Sequence, residues 1–304
     1  MTARSLSIAG GFRFVFRGFL GGAGFAALLL GLSPAGVAEP SKQSPGACGV
    51  ETACPVPGGE YRVRMPDSAK TSGRIGAILY LHGYRGTAEN AIRNKGLVRM
   101  ASDLGVALIT PQGAGRSWSF PGSPQARRDD IAFIGAVLDD AARRLPIDPD
   151  KVMASGFSVG GSMVWYLACN LGDRFAGFAP VAGAFWEPLP QSCPGPEPNL
   201  FHVHGTSDKV VPMAGRAIGD RARQGDVIEG WKLWETKGAC AGEVPESFSL
   251  ERLGLDCERR ARCNGKTLEL CLHPGGHAFK AVWVERAWRE LAALKGWQVP
   301  ARIE

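Results

Sequence analysis

Gly156-Phe-Ser158-Val-Gly160-Gly161 is the segment whose residue types and spacing point most directly to chemistry. It follows an apolar run, Lys151 to Ser155, and precedes an apolar helical stretch. Small neighbours there permit a tight strand-to-helix turn that lifts the Ser158 hydroxyl clear of the backbone. A hydroxyl is a weak nucleophile until a base takes its proton, so the chain needs an imidazole and a carboxylate to orient it. An ordinary glycine-rich turn leaves the same short pattern, and the partner residues decide between the two.

Histidines stand at positions 82, 202, 204, 273 and 277. His204-Gly-Thr-Ser-Asp208 directly follows the apolar run Asn199 to His204, which puts Asp208 in a loop at the carboxyl edge of a sheet, where catalytic groups gather in open α/β folds. His202 and His204 lie on or at the end of that strand and read as structural. His277 sits in the glycine-rich loop Pro274-Gly-Gly-His277, which can return an imidazole over the sheet. His273 competes, but it ends a strand before a proline. We therefore read Ser158 as nucleophile, Asp208 as orienting acid and His277 as general base, a chain order found in α/β-hydrolases. Acyl transfer also needs donors for an oxyanion. The backbone N–H of Val159 and that of Tyr84, in Leu81-His-Gly-Tyr84, are the candidates, with His82 as a brace for its loop. Of Trp118, Trp186, Trp231 and Trp234, we read Trp118 and Trp186 as substrate-facing.

The elements that must position these groups alternate along the chain. Continuous apolar runs at 75–82, 106–110, 151–155, 175–182 and 199–204 read as strands, after a first strand at 60–65. Helical stretches at 87–104, 129–145 and 158–170 separate them, the second with Ile131, Ile134, Leu138, Ala141 and Leu145 on one face. Strands alternating with helices imply parallel βαβ units, and apolar strands imply a sheet covered on both faces. The expected architecture is a mostly parallel, doubly wound sheet in one α/β domain over 59–304. Residues 244–272 are expected to form the late strands and a stapled loop, with 267–272 alternating, and 281–297 a terminal helix.

Composition is that of a packed globular chain, 45% hydrophobic and 21% charged. Arg4, Arg13 and Arg17 precede the apolar run Phe19 to Leu32, followed by Gly36-Val-Ala38, the three parts of a secretory signal peptide over 1–38. The apolar core has 14 residues, four of them glycine, short of the roughly 20 a membrane span needs. Loss of the leader takes three arginines and brings the formal charge from +6 to +3, a balance that argues against a nucleic-acid partner. Residues 39–58, rich in Pro, Gly and Ser, read as a mobile arm. The eight cysteines all follow the leader and read as disulfides. Closing the shortest loops gives 48–54, 169–193, 240–271 and 257–263. A zinc site is the rival reading, but no Cys-x-x-Cys pair occurs.

These residues resemble the secreted polyhydroxybutyrate depolymerase-like and feruloyl esterase-like group of α/β-hydrolases. The resemblance rests on Leu81-His-Gly-Tyr, Trp118, Asp129-Asp-Ile-Ala-Phe, Ile147-Asp-Pro-Asp-Lys-Val, the Ser158 motif, Phe175-Ala-Gly-Phe-Ala-Pro-Val-Ala-Gly, His204-Gly-Thr-Ser-Asp and Gly276-His277, from about residue 60 to 285. It implies an α/β-hydrolase fold, cleavage of carboxylic esters without cofactor or metal, and a triad on Ser158, Asp208 and His277. The group often places Trp-Pro soon after its histidine, whereas Ala278-Phe-Lys follows here. The expected partner is a small or oligomeric ester, with no nucleic acid and no membrane anchor after leader cleavage. Two rivals remain at this point: a peptidase on the same scaffold, and a binding protein that keeps the fold without turnover.

Overall fold

The computed structural model describes residues 48–66, 73–238, 240 and 242–301. The expected leader, and residues 39–47 of the expected arm, lie outside the described residues. The rest of that arm joins the sheet: Cys48 is bonded to Cys54, and strand β1 (Cys54–Val56) pairs antiparallel with β2 (Gly59–Arg64).

β3 (Ile75–Leu81) leads into helices α1 (Ala88–Ile92) and α2 (Lys95–Leu104), where the sequence suggested one helix. The break is a second cap. Thr87 accepts from the Asn90 N–H, Asn94 then accepts from the Leu97 N–H at 3.1 Å and starts a new helix, and Gly105 at φ 66° ends it. Next come β4 (Ala107–Pro111), α3 (Asp130–Arg144) capped by Asp129, and β5 (Ile147–Phe157). β5 is longer than the apolar run because Ile147 already pairs with Ile75. α4 (Val159–Asn170), β6 (Gly177–Val181) and β7 (Leu200–Gly205) follow as expected. The hairpin β8 (Arg216–Ile218) and β9 (Ala222–Gln224) and helix α5 (Val227–Lys237), capped by Asp226, were not anticipated. β10 (Glu246–Leu250), β11 (Leu255–Cys263), β12 (Lys266–His273) and α6 (Ala281–Lys295) complete the chain.

Ten strands form one sheet in the order β1-β2-β4-β3-β5-β6-β7-β12-β11-β10. From β4 to β12 every neighbour is parallel, and both flanks are antiparallel. Alternate residues of β3 face two cores: Ala77, Leu79 and Leu81 join Phe133, Trp165 and Trp234 on the face covered by α3, α4 and α5, while Ile78 and Tyr80 join Leu97, Trp283 and Trp288 under α2 and α6. Strands between two helical layers have no wet face, which is why their sequences are apolar throughout.

Two expectations fail on the β10–β12 flank. The disulfides there are Cys240–Cys263 and Cys257–Cys271, not 240–271 and 257–263. Cys257 and Cys271 are direct cross-strand partners in β11 and β12, a proximity that sequence separation does not measure. The alternation in 267–272 also misleads, since Thr267 to Cys271 are all buried. Glu269, 1% exposed, is buried among charges: Arg259 Nε donates to its Oε2 at 2.8 Å, and Arg286 binds both of its oxygens. Among the described residues no helix is long and apolar enough to cross a membrane.

Candidate active site

The tip of β5 and the start of α4 form the sharp turn that Gly-x-Ser-x-Gly requires. Ser158 has φ 59° and ψ −124°, a conformation costly for a side-chain-bearing residue and found at functional turns. Its N–H donates to Val181 O at 3.0 Å, which fixes the turn against β6. A Cβ on Gly160 would stand 2.2 Å from Leu81 O. Only glycine there lets α4 approach the end of β3. Gly83, just past β3, leaves room for the Ser158 Cβ 3.5 Å from where its own would be.

The acid and base are brought together by zipping the loops that follow β7 and β12, neighbours in the sheet. Thr206 N–H donates to His273 O at 2.8 Å and Ser207 N–H to Gly275 O at 3.1 Å. Gly205 packs against this second loop, where a Cβ would lie 2.4 Å from Gly275 O. Asp208, 4% exposed, then accepts from Val210 and Val211 N–H at Oδ1 (2.7 and 2.8 Å), and His277 Nδ1–H donates to its Oδ2 at 2.7 Å. This bond fixes the imidazole with Nε2 free to act as base. The His277 ring packs at a tilt against Phe157, the residue before Ser158, with centroids 4.5 Å apart. Phe157 was missed from the sequence because the motif leaves its position open to any residue.

The other four histidines brace the site. His82 Nδ1 faces Gly83 O at 2.9 Å and its Nε2 accepts from Gly113 N–H at 3.1 Å, tying the loop after β3 to the loop after β4. His273 Nδ1 accepts from Gly275 N–H, holding the loop that carries His277. His202 Nε2 meets His204 Nδ1 at 3.0 Å, and His204 Nε2–H donates to Val211 O at 2.7 Å, directly behind Asp208. Burial pushes the pKa of His82, His204 and His273 down and that of His202 well down, so these rings stay uncharged at neutral pH.

Among the described residues, neither the Tyr84 nor the Val159 backbone N–H donates to a protein oxygen. Val159 directly follows Ser158, and Tyr84 directly follows Gly83, where an added Cβ would lie 3.5 Å from the Ser158 Cβ. The reading of Trp118 and Trp186 as substrate-facing needs correction. Trp118 is 0% exposed and donates through Nε1 to His82 O at 2.8 Å, so it supports the loop from beneath. Trp186 is 5% exposed and packs edge-on against Phe120. The exposed apolar side chains near the site are instead Tyr84 and Val210, 56% and 44% exposed.

Sheet order, helices on both faces and a serine at the strand-to-helix turn of β5 define an α/β-hydrolase fold. Comparison with known proteins places it among relatives named as esterases. No protein-family model matches the chain. A Nocardia uniformis protein, NocK, provisionally named an esterase, is 39% identical over 142 residues, 45% of this chain and 41% of its own. A provisionally named feruloyl esterase C of Aspergillus niger is 27% identical over 212 residues, 63% of this chain and 74% of its own. The chain thus spans less than half the length of the Nocardia protein. An acetyl xylan esterase structure from Aspergillus awamori superposes with a TM-score of 0.57 at 14% identity, over 77% of this chain and 94% of that one, a likeness of fold. In sequence the chain is feruloyl esterase-like, as its motifs led us to expect.

Proposed function

We propose that this chain is an exported serine esterase that cleaves carboxylic esters through an acyl-enzyme. The observation that carries the reading is the buried Asp208 bonded to His277, whose ring lies against Phe157, the residue before a serine held at φ 59°. His277 Nε2 takes the Ser158 proton as Oγ bonds to the ester carbonyl carbon. The oxyanion is stabilised by the Tyr84 and Val159 N–H groups. Collapse breaks the carbon–alcohol bond, and His277 returns the proton to the leaving alcohol. Water then attacks the acyl-enzyme with His277 as base, releasing the acid and free Ser158. Asp208 holds the imidazole tautomer throughout and stabilises its charged form. No step calls for a metal or cofactor.

The names of the relatives make feruloyl and simple carboxylic esters the first substrates to try, and the motif resemblance adds 3-hydroxybutyryl oligomers. Export is supported by the leader-like first 38 residues and by four disulfides among the described residues. The test is hydrolysis of p-nitrophenyl acetate by the purified chain beside Ser158→Ala. Turnover lost in the variant supports the reading. Equal turnover in both assigns the activity to another group, and no turnover in either favours a ligand-binding role.

A further inference from the structure

The loop after β3 and the loop after β4 are joined into one rigid strap beside Ser158. Arg85 N–H donates to Arg116 O at 2.8 Å, the Arg116 guanidinium returns a bond to Arg85 O, His82 accepts from Gly113, and Trp118 holds His82 O. Arg127 lies against the same strap, with its Nε 2.7 Å from where a Cβ on Gly115 would stand. Arg85 and Arg116 both adopt left-handed backbone, φ 62° and 63°. Glycine or asparagine would hold those turns with less strain, so the backbone does not explain why arginine is present twice.

These three arginines are exposed, and among the described residues none meets a carboxylate. Some arginines elsewhere are neutralised, as Arg128 is by Asp130, Arg174 by Asp139 and Arg259 by Glu269 and Glu290. Others, such as Arg62 and Arg74, meet backbone carbonyls, and what sets the strap apart is that three arginines gather on one pair of joined loops. Beyond Asp208 in the chain, Lys209 and Arg216 are exposed without an acid partner, and Arg216 donates to Val210 O at 2.8 Å. Unneutralised cations gathered near one another repel and raise the local concentration of anions. Guanidinium groups in particular match the planar fork of a carboxylate.

Resting on the esterase reading, we infer that the preferred substrate is an anionic ester, bearing a carboxylate several bonds from the scissile carbonyl. The strap starts at Gly83, where an added Cβ would lie 3.5 Å from the Ser158 Cβ, and an arginine side chain spans several bonds, so the captured carboxylate stands apart from the reacting carbon. It can belong to the acyl group, as in a dicarboxylate half-ester, or to the alcohol, as in an acylated uronic acid.

Two matched pairs separate these sources: p-nitrophenyl hexanoate against the p-nitrophenyl half-ester of adipic acid, and acetylated methyl glucoside against acetylated methyl glucuronide. The expected result is a kcat/KM about tenfold or more higher for the anionic member of one pair at low salt, a preference that shrinks at about 0.5 M NaCl. In Arg127→Gln the anionic-to-neutral ratio falls toward one. Neutral members cleaved as fast as their anionic partners in both pairs overturn the inference and leave the esterase standing. No cleavage of any of the four, with no labelling of Ser158 by a fluorophosphonate, removes the esterase reading and this inference with it.

Discussion

The serine turn at the centre of the sheet and the antiparallel flank β10–β12 are held together by opposite means. At the turn, backbone meets backbone: Gly160 and Gly156 let α4 lie against the end of β3, and no disulfide or ion pair takes part. On the flank, covalent bonds and buried charge do the work, through Cys257–Cys271, Cys240–Cys263 and Glu269 between Arg259 and Arg286. The contrast separates shape needed for chemistry from shape needed for persistence, and each side can be broken alone.

The largest effect is expected at the acid. Asp208→Asn keeps the acceptor for Val210 and Val211 but no longer fixes the His277 tautomer, and kcat should fall about 10³- to 10⁴-fold with the fold intact by circular dichroism. A loss below tenfold would remove Asp208 from the site. Gly160→Ala comes next, since its methyl would sit 2.2 Å from Leu81 O. Forced overpacking there should cost about 3 kcal/mol of stability in urea unfolding and lower turnover as well, because Ser158 moves with the turn. Unchanged turnover would mean that the turn tolerates displacement.

On the flank the pattern should reverse. Replacing Cys257 and Cys271 together with alanine opens a crosslink of sequence separation 14, worth about 3 kcal/mol by chain entropy, with kcat/KM for p-nitrophenyl acetate unchanged. A large fall in kcat/KM would show that the flank also shapes the site.

The smallest effect is in pH. His82, His202 and His204 are kept uncharged chiefly by burial. In the unfolded chain each takes a proton near the ordinary value of about 6.5, so the unfolded state binds more protons as pH drops. Stability is therefore full above about pH 6.5 and declines below it. The melting temperature should be level on the alkaline side and fall steadily from about pH 6.5 to 5; a rise on acidification would contradict the assigned neutral rings.

This contrast also governs what the sequence made legible. Ser158, Asp208 and His277 could be singled out as candidates because each sits in a short glycine-bearing motif, and the fold bonds the last two to each other. The parallel strands were legible because burial on both faces demands unbroken apolar runs. Helix α5 and the β8–β9 hairpin were not, since the reading of 205–240 followed its motifs and tryptophans and passed over Asp226 as a helix cap. The cysteine pairing failed because β11 and β12 set it by register across strands. Trp118 was misassigned because an indole that braces a loop and one that lines a pocket look alike until burial is known. The arginine strap had no signature, as its three members come from positions 85, 116 and 127 and meet only in the folded chain.

The central claim, that Ser158 is the nucleophile, is tested most directly by mass spectrometry after treatment with a fluorophosphonate. The account predicts a single adduct that maps to Ser158 and is absent from Ser158→Ala. An adduct on another residue, or none while esters are still cleaved, would contradict it.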